Sequence, residues 1–195
     1  MKKCNQFLIL LGCILSIIYT LNTTETYEIL IRISFIPVLL LPTFLRKLNI
    51  KISLDGEFIY LVFVYLAHFL GSIVELYNQI YFFDTVTHFL SGIVVSIFAF
   101  GFLKKNKIKT NLPFEILFIL GVSCLVAFSW ETFEFTCDQL FGKDAQKVIE
   151  TGVTDTMKDM IVAFLGASLF CISYAFEKIN HKNYLINHYE NNLKW

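Results

Sequence analysis

The chain has 195 residues, of which 56% are hydrophobic and only 16% are charged, and its mean hydropathy is +0.63. Soluble domains carry about 25% charged residues, and a soluble protein this apolar would expose large adhesive patches. The composition therefore excludes an ordinary soluble domain and favours an integral membrane protein, whose lipid-facing side chains need no polarity. The 16 basic and 16 acidic residues balance. The sequence has no basic patch interleaved with aromatic residues, so no nucleic-acid partner is expected.

Six apolar stretches approach the length of about 20 residues that a membrane-spanning helix needs. They cover residues 7–21, 29–45, 57–74, 84–103, 113–133 and 155–176. The second stretch contains Pro37 and Pro42, which membrane helices tolerate where neighbouring groups satisfy the freed carbonyls, so a kinked span is expected. The predicted fold is an all-α, six-helix transmembrane bundle over residues 1–176, in contact with the lipid bilayer, followed by a short tail over 177–195. The pattern carries no indication of oligomeric state.

The first stretch also has features of a signal peptide, because Lys2 and Lys3 precede an apolar run. That run continues past Cys13 to Leu21, and no small-residue cleavage site follows it. We therefore expect an uncleaved first membrane helix.

Lysine and arginine residues in the loops predict the orientation of the bundle. The N-terminal tail, the second loop, the fourth loop and the C-terminal tail together hold twelve of them, whereas the remaining loops hold only Lys143 and Lys147. Because basic loops stay in the cytoplasm, both termini are predicted to be cytoplasmic. Lys51, Lys109, Lys182 and Lys194 are among the twelve.

Acidic side chains recur at helical spacing within or beside the last three spans. Residues three or four apart lie on one face of a helix, so each span presents its polar residues on a single face. These residues are Asp84 and His88 in the fourth span, Glu131 and Glu134 in the fifth with Asp138 beyond them, and Asp155 and Asp159 in the sixth. With the predicted topology, all three groups lie at the non-cytoplasmic level of the membrane. Lys158 is assigned to a different face from the two aspartates and is expected to snorkel to the interface.

Small residues follow the acidic ones in two of these spans. Gly92 lies two turns beyond Asp84, and Ala163, Gly166 and Ala167 follow Asp159. Gly92 shares a helix face with Asp84 and His88. The small residues of the sixth span allow membrane helices to approach closely, so this span is predicted to pack against another helix through Ala163, Gly166 and Ala167.

One histidine and several carboxylates on three helices form a candidate divalent-metal site, as in helical bundles that hold metals with Glu and Glu-x-x-His side chains. The candidate ligands are Asp84, His88, Glu131, Glu134, Asp155 and Asp159. An oxygen-rich set suits Mg²⁺, Mn²⁺ or Ca²⁺, and the histidine extends the choice to Zn²⁺ or iron. The sequence contains no glycine-rich phosphate loop, so no motif indicates an organic cofactor. Two alternatives remain open, a structural carboxylate–histidine network and a cation pathway, and Asp84 and Asp155 taken singly also suit helix caps.

The segment Asp84-Thr85-Val86-Thr87-His88-Phe89-Leu90-Ser91-Gly92 resembles a helix-opening motif of the YjdF-type bacterial inner-membrane proteins. A second block is similar at Trp130-Glu131-Thr132-Phe133-Glu134, and a third at Asp155-Thr156-Met157-Lys158-Asp159-Met160 with Gly166-Ala167. The blocks come in the family's order and spacing, although Phe82-Phe83 and Thr154 stand where the family often has Arg-Tyr and an aromatic residue. A weaker likeness, to VanZ-like membrane proteins, rests on the Asp-x-x-x-His-Phe helix start alone. The YjdF resemblance implies a multi-pass protein of the bacterial plasma membrane. It does not point to a particular reaction, because that family has no established activity.

Two functional classes fit these residues. In the first, the protein is a metal-dependent enzyme acting on lipid or envelope substrates, in which the metal activates water or polarises a phosphoryl or acyl group. Glu131, Glu134 or Asp155 would then be the general base. In the second, the protein is a cation- or proton-coupled transporter, or a non-enzymatic membrane protein with a structural polar network. Both classes use the same six side chains, so the sequence leaves open whether the protein is an enzyme.

The predicted orientation is tested with reporter fusions. We expect alkaline phosphatase fused after Leu103 to be inactive and a fluorescent protein fused there to be bright, because the lysine-rich loop that follows is predicted to be cytoplasmic. An active phosphatase at this position would move the acidic residues to the cytoplasmic side.

Overall fold

A computed structural model describes residues 1–48, 52–108, 110–181 and 184. Lys51, Lys109, Lys182 and Lys194, which contribute to the predicted orientation, and most of the predicted tail lie outside the described residues. The described chain is all helical and has no strand, and six of its helical stretches are long and apolar enough to cross a membrane. The predicted class, an all-α multi-pass membrane protein, is thus confirmed, whereas the orientation of the termini stays a prediction.

The helices follow one another with short connections. The long ones are α1 (Lys2–Thr20), α2 (Thr26–Lys47), α3 (Leu54–Val64) continued by a π-helical segment (Tyr65–Ile73), α5 (Phe83–Lys105), α6 (Leu112–Phe141) and α8 (Thr154–Ile179). Two single-turn helices, α4 (Leu76–Gln79) and α7 (Val148–Thr151), lie in the connections. Pro37 and Pro42 both lie inside α2, which is the proline-containing span that the sequence predicts.

Local sequence explains where several helices begin and end. Ser53 and Asn111 each accept a hydrogen bond from a backbone N–H of the following first turn, at 2.9 and 3.0 Å, as N-cap residues do. Pro113 follows in the first turn of α6, where its missing N–H costs nothing. Gly142 ends α6 in the left-handed conformation, with φ of 63°.

The chain forms two compact units that divide at the start of α5. The first unit contains α1 to α4 and has a core of Phe35, Leu39, Leu61, Val64 and Ile73. In this unit the Arg46 guanidinium pairs with both oxygens of the buried Glu57, at 2.9 and 2.7 Å. Asn5 donates to the same carboxylate at 2.7 Å, so this pair connects α1, α2 and α3.

The second unit contains α5, α6 and α8, and its central feature is the contact between α5 and α8. A Cβ atom at Gly92 would overlap the backbone carbonyl of Ala163, and one at Gly166 would overlap the carbonyl of Phe89. The two backbones therefore touch, and the order of the side-chain contacts along both helices shows that α5 and α8 run in the same direction. The close approach predicted for the small residues of the sixth span is confirmed at Ala163 and Gly166, and Gly92 is its counterpart in α5.

Helix α6 runs antiparallel to α5 and α8 and buries one row of side chains at intervals of four residues. The row consists of Glu115, Ile119, Ser123, Ala127 and Glu131. The opposite side of α6 exposes large apolar residues such as Leu117, Leu125 and Phe128, which is the pattern expected of a helix that faces lipid. One stripe of α6 thus carries a buried glutamate toward each of its ends.

The contact between α5 and α8 predicts which glycines tolerate a methyl group. We expect Gly92→Ala and Gly166→Ala each to lower the thermal stability of the detergent-purified protein, because overpacking typically costs about 1–3 kcal/mol. Gly121→Ala in α6 is the matched control, because a Cβ atom at this position would have no other atom within 4 Å, and alanine is the better helix former by about 1 kcal/mol. Equal melting temperatures for the three variants would contradict the close helix contact.

Candidate metal centre

Two helix starts bring four polar side chains into one region. Asp84 and His88 lie one turn apart at the start of α5, and Asp155 and Asp159 lie one turn apart at the start of α8. Because α5 and α8 touch at Gly92 and Ala163, the residues one turn earlier, His88 and Asp159, face each other. The helix crossing therefore sets the geometry of the cluster.

Asp84, His88 and Asp159 form the tightest group. His88 Nε2 lies 3.4 Å from Asp84 Oδ1 and 3.9 Å from Asp159 Oδ2. One ligand atom from each of the three residues lies within 4.8 Å of the other two. The side chains are mostly buried, with 13%, 11% and 4% of their surface exposed in the order of the chain, so these three side chains can act together as ligands or as an ion-pair network.

Asp155 joins this group through two lysines. Lys147 Nζ lies 2.8 Å from Asp84 Oδ2 and 3.6 Å from Asp155 Oδ2. Lys158 Nζ lies 3.2 Å from Asp155 Oδ1 and 3.8 Å from Asp159 Oδ1. The assignment of Lys158 to a different face is wrong, because residues three apart are offset by only about 60° around a helix.

Glu131 reaches the same region from α6 and is 4% exposed. Within the described part of the chain, neither oxygen of its carboxylate makes a hydrogen bond of normal geometry. The Gln146 amide and the Thr156 hydroxyl lie close by and are bonded to each other at 3.0 Å. His88 and Asp84 are its charged neighbours. A buried carboxylate without a partner is costly, so Glu131 needs a proton or a cation.

Glu134 lies at the edge of the cluster. Its Oε1 accepts a hydrogen bond from the Trp130 indole N–H at 2.8 Å, and it interacts electrostatically with Glu131 and His88. The six sequence-predicted residues thus divide into a close group of Asp84, His88 and Asp159, a lysine-paired Asp155, and two glutamates beside them. We call these six residues the acidic cluster.

The loop between α6 and α8 supplies a partner that the sequence analysis missed. Asp138 does not join the acidic cluster; its carboxylate accepts hydrogen bonds from the backbone N–H groups of Ala145 and Gln146, at 2.7 and 3.1 Å. These bonds fold the loop so that Lys147 reaches Asp84. Burial alone would lower the pKa of Lys147, but its hydrogen bond to Asp84 and the charges of Asp155 and Asp159 outweigh it, so the pKa is raised above its usual value.

Comparison with known proteins places the chain in a family. Residues 4–179 match the family described as "Predicted membrane protein (DUF2238)". The chain belongs to this family. It is also 35% identical over 107 residues to an uncharacterised protein of Thermotoga maritima, and the match covers 53% of each chain. The chain thus spans about half the length of that relative, and no solved structure matches it.

A second polar group of this family member lies at the opposite end of α5, α6 and α8, and the sequence analysis missed it too. The buried Glu115 accepts hydrogen bonds from Tyr174 and, at 2.6 Å, from Lys178. Lys104 Nζ lies 3.5 Å from the other oxygen of Glu115 and 3.2 Å from Tyr174 Oη. The ring of Tyr174 packs edge-on against Phe100, with centroids 4.9 Å apart. This group ties three helices together.

The two buried glutamates of α6 predict opposite effects of the same substitution. We expect Glu115→Gln to lower the free energy of unfolding by about 3 kcal/mol, because it breaks a buried ion pair and leaves lysines without a counter-charge. We expect Glu131→Gln to be neutral or stabilising in metal-free protein, because it replaces a buried carboxylate that lacks a partner. The measurement is denaturant unfolding in micelles followed by tryptophan fluorescence. The two residues are 3% and 4% exposed, so a larger loss at Glu131 would contradict the assigned environments.

Proposed function

We propose that this membrane protein binds a divalent cation at its acidic cluster, with Asp84, His88 and Asp159 as the primary ligands. The observation that carries the proposal is the separation of their ligand atoms. Ligand atoms on one ion, with bonds of about 2.1 Å, lie about 3–4.2 Å apart. The separations of 3.4 and 3.9 Å around His88 Nε2 fall within this range.

The buried carboxylate of Glu131 gives independent support. Among the residues that the structure describes, neither of its oxygens has a hydrogen-bond partner of normal geometry. Asp159 Oδ1 also lacks a hydrogen bond, but it faces Lys158 Nζ at 3.8 Å. Glu131, Glu134 and Asp155 complete the proposed ligand and reaction set. A ligand set of two aspartates and one histidine suits Mn²⁺ or Zn²⁺. It suits Ca²⁺ and Mg²⁺ less well, because these ions prefer sites made of oxygen ligands alone.

We further propose that the bound metal makes the protein an enzyme acting on lipid or envelope substrates. The metal would polarise a phosphoryl or acyl group or activate water. Glu131 is the best-placed general base of the three candidates, because its oxygens make no ion pair and no hydrogen bond of normal geometry, whereas Asp155 is held by Lys147 and Lys158 and Glu134 by Trp130. The resemblance to YjdF-type proteins supports a place in the bacterial plasma membrane, and the loop lysines support a cluster on its outer side.

One observation favours a second candidate, a structural network without metal. Lys147 and Lys158 already make four ion pairs with the three aspartates, and these pairs alone would join the α6–α8 loop to α5 and α8. A cation pathway, the remaining alternative, would use the same carboxylates.

Metal content of the purified protein tests the proposal. We expect protein purified in mild detergent and incubated with Mn²⁺ or Zn²⁺ to retain about one ion per chain after gel filtration, measured by mass spectrometry of the metal. His88→Ala and Asp159→Asn should each lower the affinity by about tenfold or more, since each removes a ligand.

His181→Ala and Glu150→Gln are the matched controls, because both residues are exposed and lie outside the acidic cluster. Equal metal retention by all four variants would show adventitious binding. If the wild-type protein retains no metal and its stability is the same with and without added metal, the structural network is left as the function of the acidic cluster.

A further inference from the structure

Lys147 places a positive charge on a ligand of the proposed metal site. Its ammonium group is 2.8 Å from Asp84 Oδ2, whereas Asp84 Oδ1 faces His88. A metal ion bound by Asp84 would therefore lie within about 5 Å of this ammonium group, where two positive charges repel strongly in a partly buried site. Metal and Lys147 thus compete for the same carboxylate.

The backbone of Lys147 indicates that surrounding contacts fix this position. Its φ is 52°, in the left-handed region, which costs a non-glycine residue about 1–2 kcal/mol. The carbonyl of Lys147 accepts hydrogen bonds from the Thr151 backbone N–H at 3.0 Å and from the Thr151 hydroxyl at 2.9 Å. Such strained positions persist only where the surroundings hold them, and they concentrate at functional sites.

The loop keeps its shape by contacts that do not involve the ammonium group. Asp138 binds two of its backbone N–H groups, and the Asp144 carboxylate accepts a hydrogen bond from the N–H of Ile149 at 3.2 Å. The lysine side chain is 32% exposed. It can therefore swing away from Asp84 without unfolding of the loop.

From these contacts we infer that Lys147 is a tethered cation, which binds the carboxylates of Asp84 and Asp155 in the metal-free protein. An incoming divalent ion displaces its ammonium group from them. The inference rests on the proposed function and names a selectivity device for that site. A charge attached to the same chain competes at an effective concentration of about 1 mM or more. A monovalent ion such as Na⁺ offers no greater charge than the ammonium it must replace, whereas a divalent ion does. Lys147 therefore makes the site selective for divalent over monovalent cations.

Substitution of Lys147 tests the competition. In protein reconstituted into nanodiscs, we expect Lys147→Met to bind Mn²⁺ about tenfold more tightly than wild type, which corresponds to about 1.4 kcal/mol of removed competition. Lys147→Arg keeps the charge and should bind with an affinity close to that of wild type. Lys143→Met removes the same charge from the same loop and is the control for a general change in electrostatic potential. Excess Na⁺ should weaken Mn²⁺ binding more in Lys147→Met than in wild type.

A labelling experiment on the unmodified protein tests displacement directly. We expect acylation of the Lys147 amine, followed by peptide mass spectrometry, to become several-fold faster when Mn²⁺ is added, with the reactivity of Lys143 unchanged. This readout holds even where the Lys147 variants fold poorly.

The outcomes separate the two proposals. If wild-type protein binds Mn²⁺ through His88 but Lys147→Met binds it equally well and labelling does not change, the tethered-cation role is wrong and the metal site stands. If Lys143→Met tightens binding as much as Lys147→Met does, the effect is one of general charge and the role is again wrong. If neither wild type nor Lys147→Met binds Mn²⁺ or Zn²⁺, both proposals fall.

Discussion

The backbone contact between α5 and α8 is the constraint on which the second unit depends. Helices in a bilayer gain little from the hydrophobic effect on association, so close packing of small residues must supply much of the attraction. Gly92 and Gly166 let the two backbones touch, and one turn before Gly92 the same register sets His88 against Asp159. Toward the other end of the helices, Phe100, Phe170 and Tyr174 fill the space with aromatic contacts. One crossing point therefore determines both the separation of the candidate ligands and the packing at the opposite end.

Helix α6 shows what distinguishes a structural acid from a candidate functional one. Glu115 and Glu131 lie on the same buried row and are almost equally inaccessible. Glu115 is satisfied by Tyr174 and two lysines, which makes its burial a cross-link between helices. Glu131 has no such partner among the residues described in the structure. An apolar side chain would pack at the position of Glu131 at lower cost, as Ile119 and Ala127 do in the same row, so packing alone gives no reason for a carboxylate there.

The parts predicted from the sequence are those that depend on local periodicity. Apolar length identified six spans, and spacing of four residues placed Asp84 with His88 and Asp155 with Asp159, because a helix fixes these relations by itself. The loop lysine could not be found in this way. Lys147 reaches Asp84 only because Asp138 binds N–H groups seven and eight residues later and because the chain adopts a left-handed conformation. Neither feature leaves a periodic signal. Glu115 was overlooked for a related reason: in sequence it is an ordinary first-turn acid, and its partners lie about sixty residues away in α8.

The charge balance of the acidic cluster argues for protons or a cation beyond the two lysines. Its five carboxyl groups face two ammonium groups, and both ammonium groups lie on the aspartate side, at Asp84, Asp155 and Asp159. Glu131 is buried beside His88 and Asp84, where burial disfavours an uncompensated negative charge. A protonated His88 would offset one charge and would still leave the cluster acidic. A divalent ion beside His88 would neutralise two charges and would give the oxygens of Glu131, which neither lysine reaches, a nearby positive charge.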